Sequence, residues 1–486
     1  MIVRLALAEL RNRPGRALFL LGGYALGVAV MVVLLAVGEA MLSQARDRDL
    51  VGGGDVVVVP AGISAEMLKA GGVSSLFLGI DHARFFQRNL MESPRGRTEY
   101  GILAASPLLD GKLVEVHAGG RWISAVATGE IPSRARAAGA APQLLSGRWV
   151  DSDADRRWTS PTQAELLREI DRFHVPPVRD STWAEWHYFN VVLDDTRWVY
   201  VTLMVGGEVG VPGRWGGRIL LTVRQPDGAH RSFTRDLPGE EVRIDTTSPD
   251  LRVGDRAFVR QEGDGYRVAA DAGGVRVNLR VIPAPRRYFP PTDLGSDSLI
   301  SGYVAPALFA RADGTVCLPR CEDVRGAQAY HDHNWGVWRD VSWEWGSASD
   351  AELSLLYGVV RGVGTGTEGM FAYLVDGQGV RGVYRPGAIR FTETQMVKVD
   401  GQSIRVPRRF AFEDPRRGML VSVDVDATHV TDMNRPAQRW FVQMRGTATV
   451  QEHGRTIGLL RGFFETYVDQ EPLSVQPPRV VRPPSR

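Results

Sequence analysis

The chain has 486 residues, 44% of them apolar and 23% charged, which fits a folded protein of several domains and excludes wholesale disorder. Lys+Arg 58 stand against Asp+Glu 56, a net charge of +2, so no global field points to nucleic acid. Gly 54 and Pro 28 call for many turns, as in a mainly β protein.

Ala17–Gly38 carries no charge. About 22 residues at a rise of roughly 1.5 Å span about 33 Å, enough for a bilayer core. The run is longer than the apolar region of a cleaved signal peptide, roughly 7–15 residues, so an uncleaved anchor is expected. Arg4, Arg11, Arg13 and Arg16 precede it, with only Glu9 against them. The positive-inside rule then puts the N-terminus in the cytoplasm and the bulk outside, periplasmic in a bacterium, as a single-pass inner-membrane protein.

Residues 151–180 are polar, with one helix expected over Thr162–Phe173 and a Pro-Pro stop, and read as a linker. Beyond them the pattern has period two. "VRVNLRVIP" puts Val275, Val277, Leu279 and Val281 on one face and Arg276, Asn278 and Arg280 on the other. Hairpin signals around Asp-Gly recur from "RILLTVRQPDGAHRSFTRDL" to "MVKVDGQSIRVP". Strands with turns every 8–12 residues indicate sandwich or barrel. The tail 471–486 is Pro- and Arg-rich and is expected to be disordered.

The two cysteines, Cys317 and Cys321, can close a disulfide in an oxidising compartment or remain thiols. The densest polar cluster is "AYHDHNWG", residues 329–336. On a strand His331, His333 and Trp335 share one face, and Tyr330, Asp332 and Asn334 the other. His331 and His333 have chelating spacing, but C-x3-C-x9-H-x-H is not a familiar zinc spacing, so no metal and no cofactor is expected. A structural reading stands beside the functional one: His331 and Asp332 bond backbone at a barrel rim, and Trp335 plugs a barrel end.

Two resemblances follow from these motifs. "RLALAELRNRPGRALFLLGGYALGVAVMVVLLAVGEAM" followed by "GGGDVVVVPAGIS" resembles the N-terminus of MacB/FtsX-type ABC transporter permeases over about residues 1–135. It implies an anchor (1–42) and a small extracytoplasmic α+β domain (43–150). ABC transporter subunits are then expected as partners, although three later membrane helices of such permeases are absent. "STWAEWHYFNVVL" and "AYHDHNWGVW" resemble the carotenoid 1,2-hydratase (CrtC)/AttH family over about residues 180–470. That implies two antiparallel lipocalin-like (calycin) barrels, 181–325 and 326–470, with an apolar pocket. The expected function is binding of a hydrophobic isoprenoid, lipid or polyketide; the alternative is a hydro-lyase, isomerase or cyclase acting on a polyene. The resemblance implies ligand contact for His331, His333, Trp335, Tyr357, Trp186, Tyr188 and Trp343, and catalysis for His333, Trp335 and Asp332. The family's aspartate on the strand after the motif is missing: "SLLYGVVRG" has Tyr357 but no carboxylate. Asp332, Asp340, Glu344 and Glu368 are the nearby substitutes.

Overall fold

The computed structural model describes residues 14–46, 56–58, 78–141, 147–174, 179–294, 300–318, 320–339, 341–361, 369–399, 401–434 and 439–469. Asp340, Glu368 and the tail 471–486 lie outside the described residues.

The chain divides into two units. The first is Met1–Gly79 with Leu103–Ser152; the second is Ile80–Ile102 with Asp153–Arg486. In the first unit, α1 runs over Pro14–Arg46. Among the described residues no helix is long and apolar enough to cross a membrane. The structure therefore does not support the expected span, part of whose side chains is not described. Strands β1 (Leu108–Ala118) and β2 (Arg121–Glu130) form one antiparallel hairpin. Its turn is Gly119-Gly120, both at positive φ (57° and 75°), the geometry two-residue hairpins require.

The second unit opens with helices α2 (Ile80–Phe85) and α3 (Pro94–Thr98). These fall within the stretch expected to be extracytoplasmic, yet they group with the barrels. Arg95 is buried and pairs with Asp376, and the Ser93 hydroxyl caps α3 by accepting from the Gly96 N–H. After α4 (Pro132–Ala137) in the first unit come α5 (Asp153–Thr159) and α6 (Gln163–Ile170).

Residues 163–173 are no free linker. Leu166, Leu167 and Ile170 are buried, and the Gln261 amide donates to the Ala164 carbonyl at 2.6 Å. A capping box starts α6: the Thr162 hydroxyl accepts from the Glu165 N–H at 3.2 Å, and Glu165 accepts from the Thr162 N–H at 2.8 Å. Thr162→Ala is expected to lower the unfolding free energy by about 1 kcal/mol, read in urea titration.

The first large sheet contains β3 (Trp183–Val192), β4 (Trp198–Gly207), β5 (Trp215–Arg224), β6 (His230–Pro238), β7 (Val242–Ile244), β8 (Leu251–Val253), β9 (Ala257–Glu262), β10 (Gly265–Ala272), β11 (Val275–Pro283), β12 (Phe289–Asp293), β13 (Ser301–Cys317) and β14 (Cys321–Val337). Its order is β6-β5-β4-β3-β14-β13-β11-β10-β9-β8-β7, with β12 pairing β13. The two ends of this order, β6 and β7, follow one another in the chain, and the sheet curls into a near-closed barrel around one apolar core.

The second sheet contains β15 (Ser342–Ser349), β16 (Leu353–Arg361), β17 (Phe371–Asp376), β18 (Gly379–Tyr384), β19 (Arg390–Val399), β20 (Gln402–Asp414), β21 (Met419–Asn434), β22 (Arg439–Glu452) and β23 (Arg455–Asp469). Its order is β18-β17-β16-β15-β23-β22-β21-β20-β19, around a second core. The architecture is mainly β, as expected.

One expected boundary moves. The strand carrying "HDHNWG" does not open the second barrel at 326; β14 pairs with β3 and β13 in the first, which ends at Val337. A third apolar cluster joins the sheets, with Tyr200, Tyr303, Tyr330, Trp345 and Phe463 among its members. Buried Arg287 fastens the seam, donating to the Ser354 hydroxyl and to the carbonyls of Asp350 and Ala351.

Candidate functional site

Strand β14 turns one face to the first core and the other to the apolar cluster at the seam, so its alternation serves two sites. Its register with β3 sets Asp332 opposite Tyr188, His333 opposite His187 and Trp335 opposite Glu185. Glu185, His187, His331, His333 and Trp335 therefore point into the first barrel. Tyr188, Tyr330, Asp332 and Asn334 point to the seam.

The barrel side is a buried ionisable cluster. Asp171, Glu185, His187, His331 and His333 are each 0% exposed. Asp171 is the C-cap of α6. A carboxylate there opposes the helix dipole, so helix stability does not explain its placement. One oxygen faces His331 Nε2 at 3.0 Å and the other His333 Nδ1 at 2.9 Å. His331 Nδ1 donates to the Tyr188 carbonyl at 3.1 Å. His333 Nε2 reaches Glu185 Oε1 at 2.8 Å, and that oxygen also accepts the His174 N–H at 2.8 Å.

Aromatic rings pack the cluster. His331 stacks on Phe189 at 3.9 Å, and Phe173 meets the edges of His187 and His333. The half-exposed His174 ring stacks on Trp335 at 3.6 Å and caps the end.

Burial opposes the Asp171 charge, but His331 and His187, with hydrogen bonds from His331 and His333, hold its carboxyl far below the usual range. Burial likewise pushes His333 down, and its bonds to Asp171 and Glu185 overcome this and raise it to about 9. Burial and the neighbouring His333 hold His187 well below the ordinary histidine value.

The seam side has a different chemistry. Trp345 Nε1 donates to the Tyr303 hydroxyl at 3.1 Å. An indole can only donate, so the Tyr303 hydroxyl is free to point on to Tyr330 at 2.7 Å, and Tyr330 donates to Asp332 at 2.8 Å. Asn334 donates to the other Asp332 oxygen at 2.8 Å. Burial pushes the Asp332 carboxyl well above the carboxylate range, against the pull of Tyr330.

Nearer the surface lies Glu465, half-buried. It accepts from Trp343 Nε1 at 2.9 Å, from the Gln443 amide at 2.9 Å and from the Tyr188 hydroxyl at 3.4 Å. Burial raises it too. Aromatic rings continue outward: Trp343 packs on Phe441, Tyr467 and Trp338, and Trp338 on Trp186.

The residues expected at one site thus separate. His331, His333 and Trp335 belong to the barrel cluster. Trp186, Tyr188, Trp343 and Asp332 belong to the seam. Tyr357 is buried in the second core against Phe410, Phe412 and Phe464, with neither group. Asp332 does not act beside His333 and Trp335, because adjacent strand positions face opposite ways. Nor does it bond backbone, as the structural reading had it; His331 does. Cys317 and Cys321 are joined in a disulfide across the β13–β14 turn. They are therefore not thiolate ligands to a metal beside the histidines. The expectation of no metal weighed the His331–His333 pair with those cysteines. Instead Asp171, His187 and His331 gather in one group of metal-ligating atoms, and His174, Glu185 and His333 in another.

Glu344, a substitute for the missing carboxylate, pairs with Arg361. Sequence reasoning missed Asp171, Glu185, His187 and Glu465. The available signal for two of them was the shared face of Glu185 and His187 in "EWHYF".

Close backbone approach shapes the barrel end. A Cβ on Gly302 would lie 1.9 Å from the Trp335 indole. Gly302→Ala is expected to displace Trp335 and cost about 1–3 kcal/mol, with an altered near-UV circular dichroism spectrum.

No family model matches the chain, and no curated protein matches it. Solved structures similar to it include a putative AttH from Nitrosomonas europaea, with 16% identity over 60% of this chain and 96% of that one, TM-score 0.44. Another is kievitone hydratase from Nectria haematococca, with 10% identity over 59% of this chain and 88% of that one, TM-score 0.44. A third is CghA, with 13% identity over 62% of this chain and 94% of that one, TM-score 0.44. The resemblance of residues 1–135 to ABC permeases finds no support in these comparisons.

Proposed function

We propose that the seam between the two barrels binds an apolar unsaturated molecule, of isoprenoid or polyene type, and passes a proton to it from Glu465. The observation that carries this reading is the setting of Glu465. It is a carboxyl whose pKa burial raises above the ordinary value, beside a row of aromatic rings. Protonating an isolated double bond needs an acid held neutral in an apolar site. The carbocation formed is stabilised by aromatic faces. Trp343, Gln443 and Tyr188 supply three hydrogen bonds to the carboxylate left behind. Attack by water then gives an alcohol, and loss of a neighbouring proton gives an isomer or a cyclised product; either step returns one proton to Glu465.

Incubation of the full chain with a polyene panel in deuterated water tests this. Deuterium on carbon in the product, absent with Glu465→Gln, supports proton transfer. Binding without deuterium uptake for every ligand leaves the second reading, carriage of a hydrophobic molecule, which the same aromatic row favours.

The anchoring of the chain in a bacterial inner membrane, facing the periplasm, is likewise a proposal. It rests on the uncharged run Ala17–Gly38 and the arginines before it. Release of the chain by alkaline carbonate would refute it. Partnership with ABC transporter subunits rests on the amino-terminal resemblance, and co-purification with an ATPase tests it.

A further inference from the structure

We infer that the first barrel is a metal site: Asp171, His187 and His331 bind one divalent first-row transition ion, zinc fitting best.

Three observations converge on it. First, one ligand atom from each residue lies within 4.8 Å of the others, and all three side chains are fully buried. Metal–ligand distances of about 2.0–2.2 Å bring such atoms together with small movements. His187 Nδ1 is already 3.8 Å from Asp171 Oδ1, and His331 Nε2 is 3.0 Å from Asp171 Oδ2.

Second, the hydrogen-bond directions are wrong for a neutral network. The Tyr188 carbonyl can only accept, so His331 Nδ1 carries a proton. In the neutral ring Nε2 then presents a lone pair to the Asp171 carboxylate, acceptor against acceptor. A cation between them resolves this. A histidine ligand whose far nitrogen donates to a backbone carbonyl is the usual outer-shell arrangement of metal sites.

Third, His187 is fully buried, yet neither ring nitrogen makes a well-formed hydrogen bond: Nδ1 stops 3.8 Å short of Asp171, and the ring also faces the Pro249 backbone carbonyl. A buried polar group left in this way is costly unless something else engages it.

Charge favours the same occupant. Asp171 and Glu185 are the two carboxylates of the cluster; His333 lies between them and donates to both only as an imidazolium, and a divalent ion supplies the positive charge on the other side of Asp171 while His187 and His331 ligate as neutral rings. His333 stands behind the site, Nδ1 on Asp171 and Nε2 on Glu185, and orients the liganding carboxylate. Two imidazoles and one carboxylate suit zinc or ferrous iron and not magnesium or calcium, which take oxygen. The ion ties the segment after α6 to β3 and β14, a structural lock independent of the seam.

The test uses the full chain purified without chelator or metal-affinity steps. Elemental analysis is expected to find about one zinc per chain. Chelation is expected to lower Tm and added Zn2+ to restore it. His187→Ala, which breaks no hydrogen bond to another side chain, is expected to weaken zinc binding by about 100-fold or more. X-ray absorption of the wild-type zinc form is expected to show two imidazoles at about 2.0–2.1 Å, a result that does not need the variant to fold. Wild-type chain that binds neither Zn2+ nor Co2+ stoichiometrically would overturn the inference, as would zinc retained equally by a folded His187→Ala. An absorption spectrum without imidazole scattering would do so too.

Discussion

Asp171→Ala is expected to cost about 3–5 kcal/mol of stability, the scale for removing one partner of a buried ionic network. Folded proteins hold only about 5–15 kcal/mol in total, so the variant should unfold near ambient temperature or fail to accumulate. The reason is local. Both Asp171 oxygens are engaged, one by His331 and one by His333. Alanine leaves two fully buried imidazoles facing empty space where the carboxylate had been.

Asp171→Asn separates shape from charge. It keeps the volume and an acceptor, so it should restore part of the loss but not the metal affinity. His187→Ala is the contrast: with no side-chain hydrogen bond to lose, in the absence of metal it costs mainly packing against Phe173 and its neighbours. Urea titration of the three variants, with chelator present, reads the ranking. Asp171→Ala as mild as His187→Ala would show that the cluster is not held together through Asp171.

Much of the fold was legible because β strands write their environment at period two. Val275, Val277, Leu279 and Val281 are 0–2% exposed, and Arg276, Asn278 and Arg280 are exposed, as the alternation requires. The split faces of "HDHNWG" were legible for the same reason. What alternation cannot say is what stands opposite each face. Asp171 lies 160 residues from His331 in the chain. It sits in a stretch whose polarity and Pro-Pro ending read as a linker. Glu465 meets Tyr188 across 277 residues. Such contacts come from closure of the barrels and their seam, and no local pattern encodes them. The wrong boundary at 326 has the same origin, since β14 is placed by its pairing with β3 and not by its position after the cysteines.

Glu465→Gln is expected to lower turnover by about 10²–10⁴-fold, the usual worth of a positioned general acid, while substrate binding changes little. Glutamine keeps the size and the acceptor facing Trp343, but it has no proton to give. Stability should move the other way. The folded-state pKa of Glu465 is raised above its ordinary 4.5, mainly by burial. A carboxyl with a raised folded value binds its proton more tightly folded than unfolded. It therefore costs stability once the pH exceeds the ordinary value, and the cost is complete above the folded value. At pH 7 the neutral glutamine removes that cost, so the variant should be more stable than the parent. The parent's rate should be flat at low pH and fall about tenfold per unit above the raised pKa, because only the protonated acid acts. A structural carboxylate predicts the reverse pairing, with lost stability, retained turnover and no alkaline limb. Measuring unfolding and the pH–rate profile on the same two proteins decides between them.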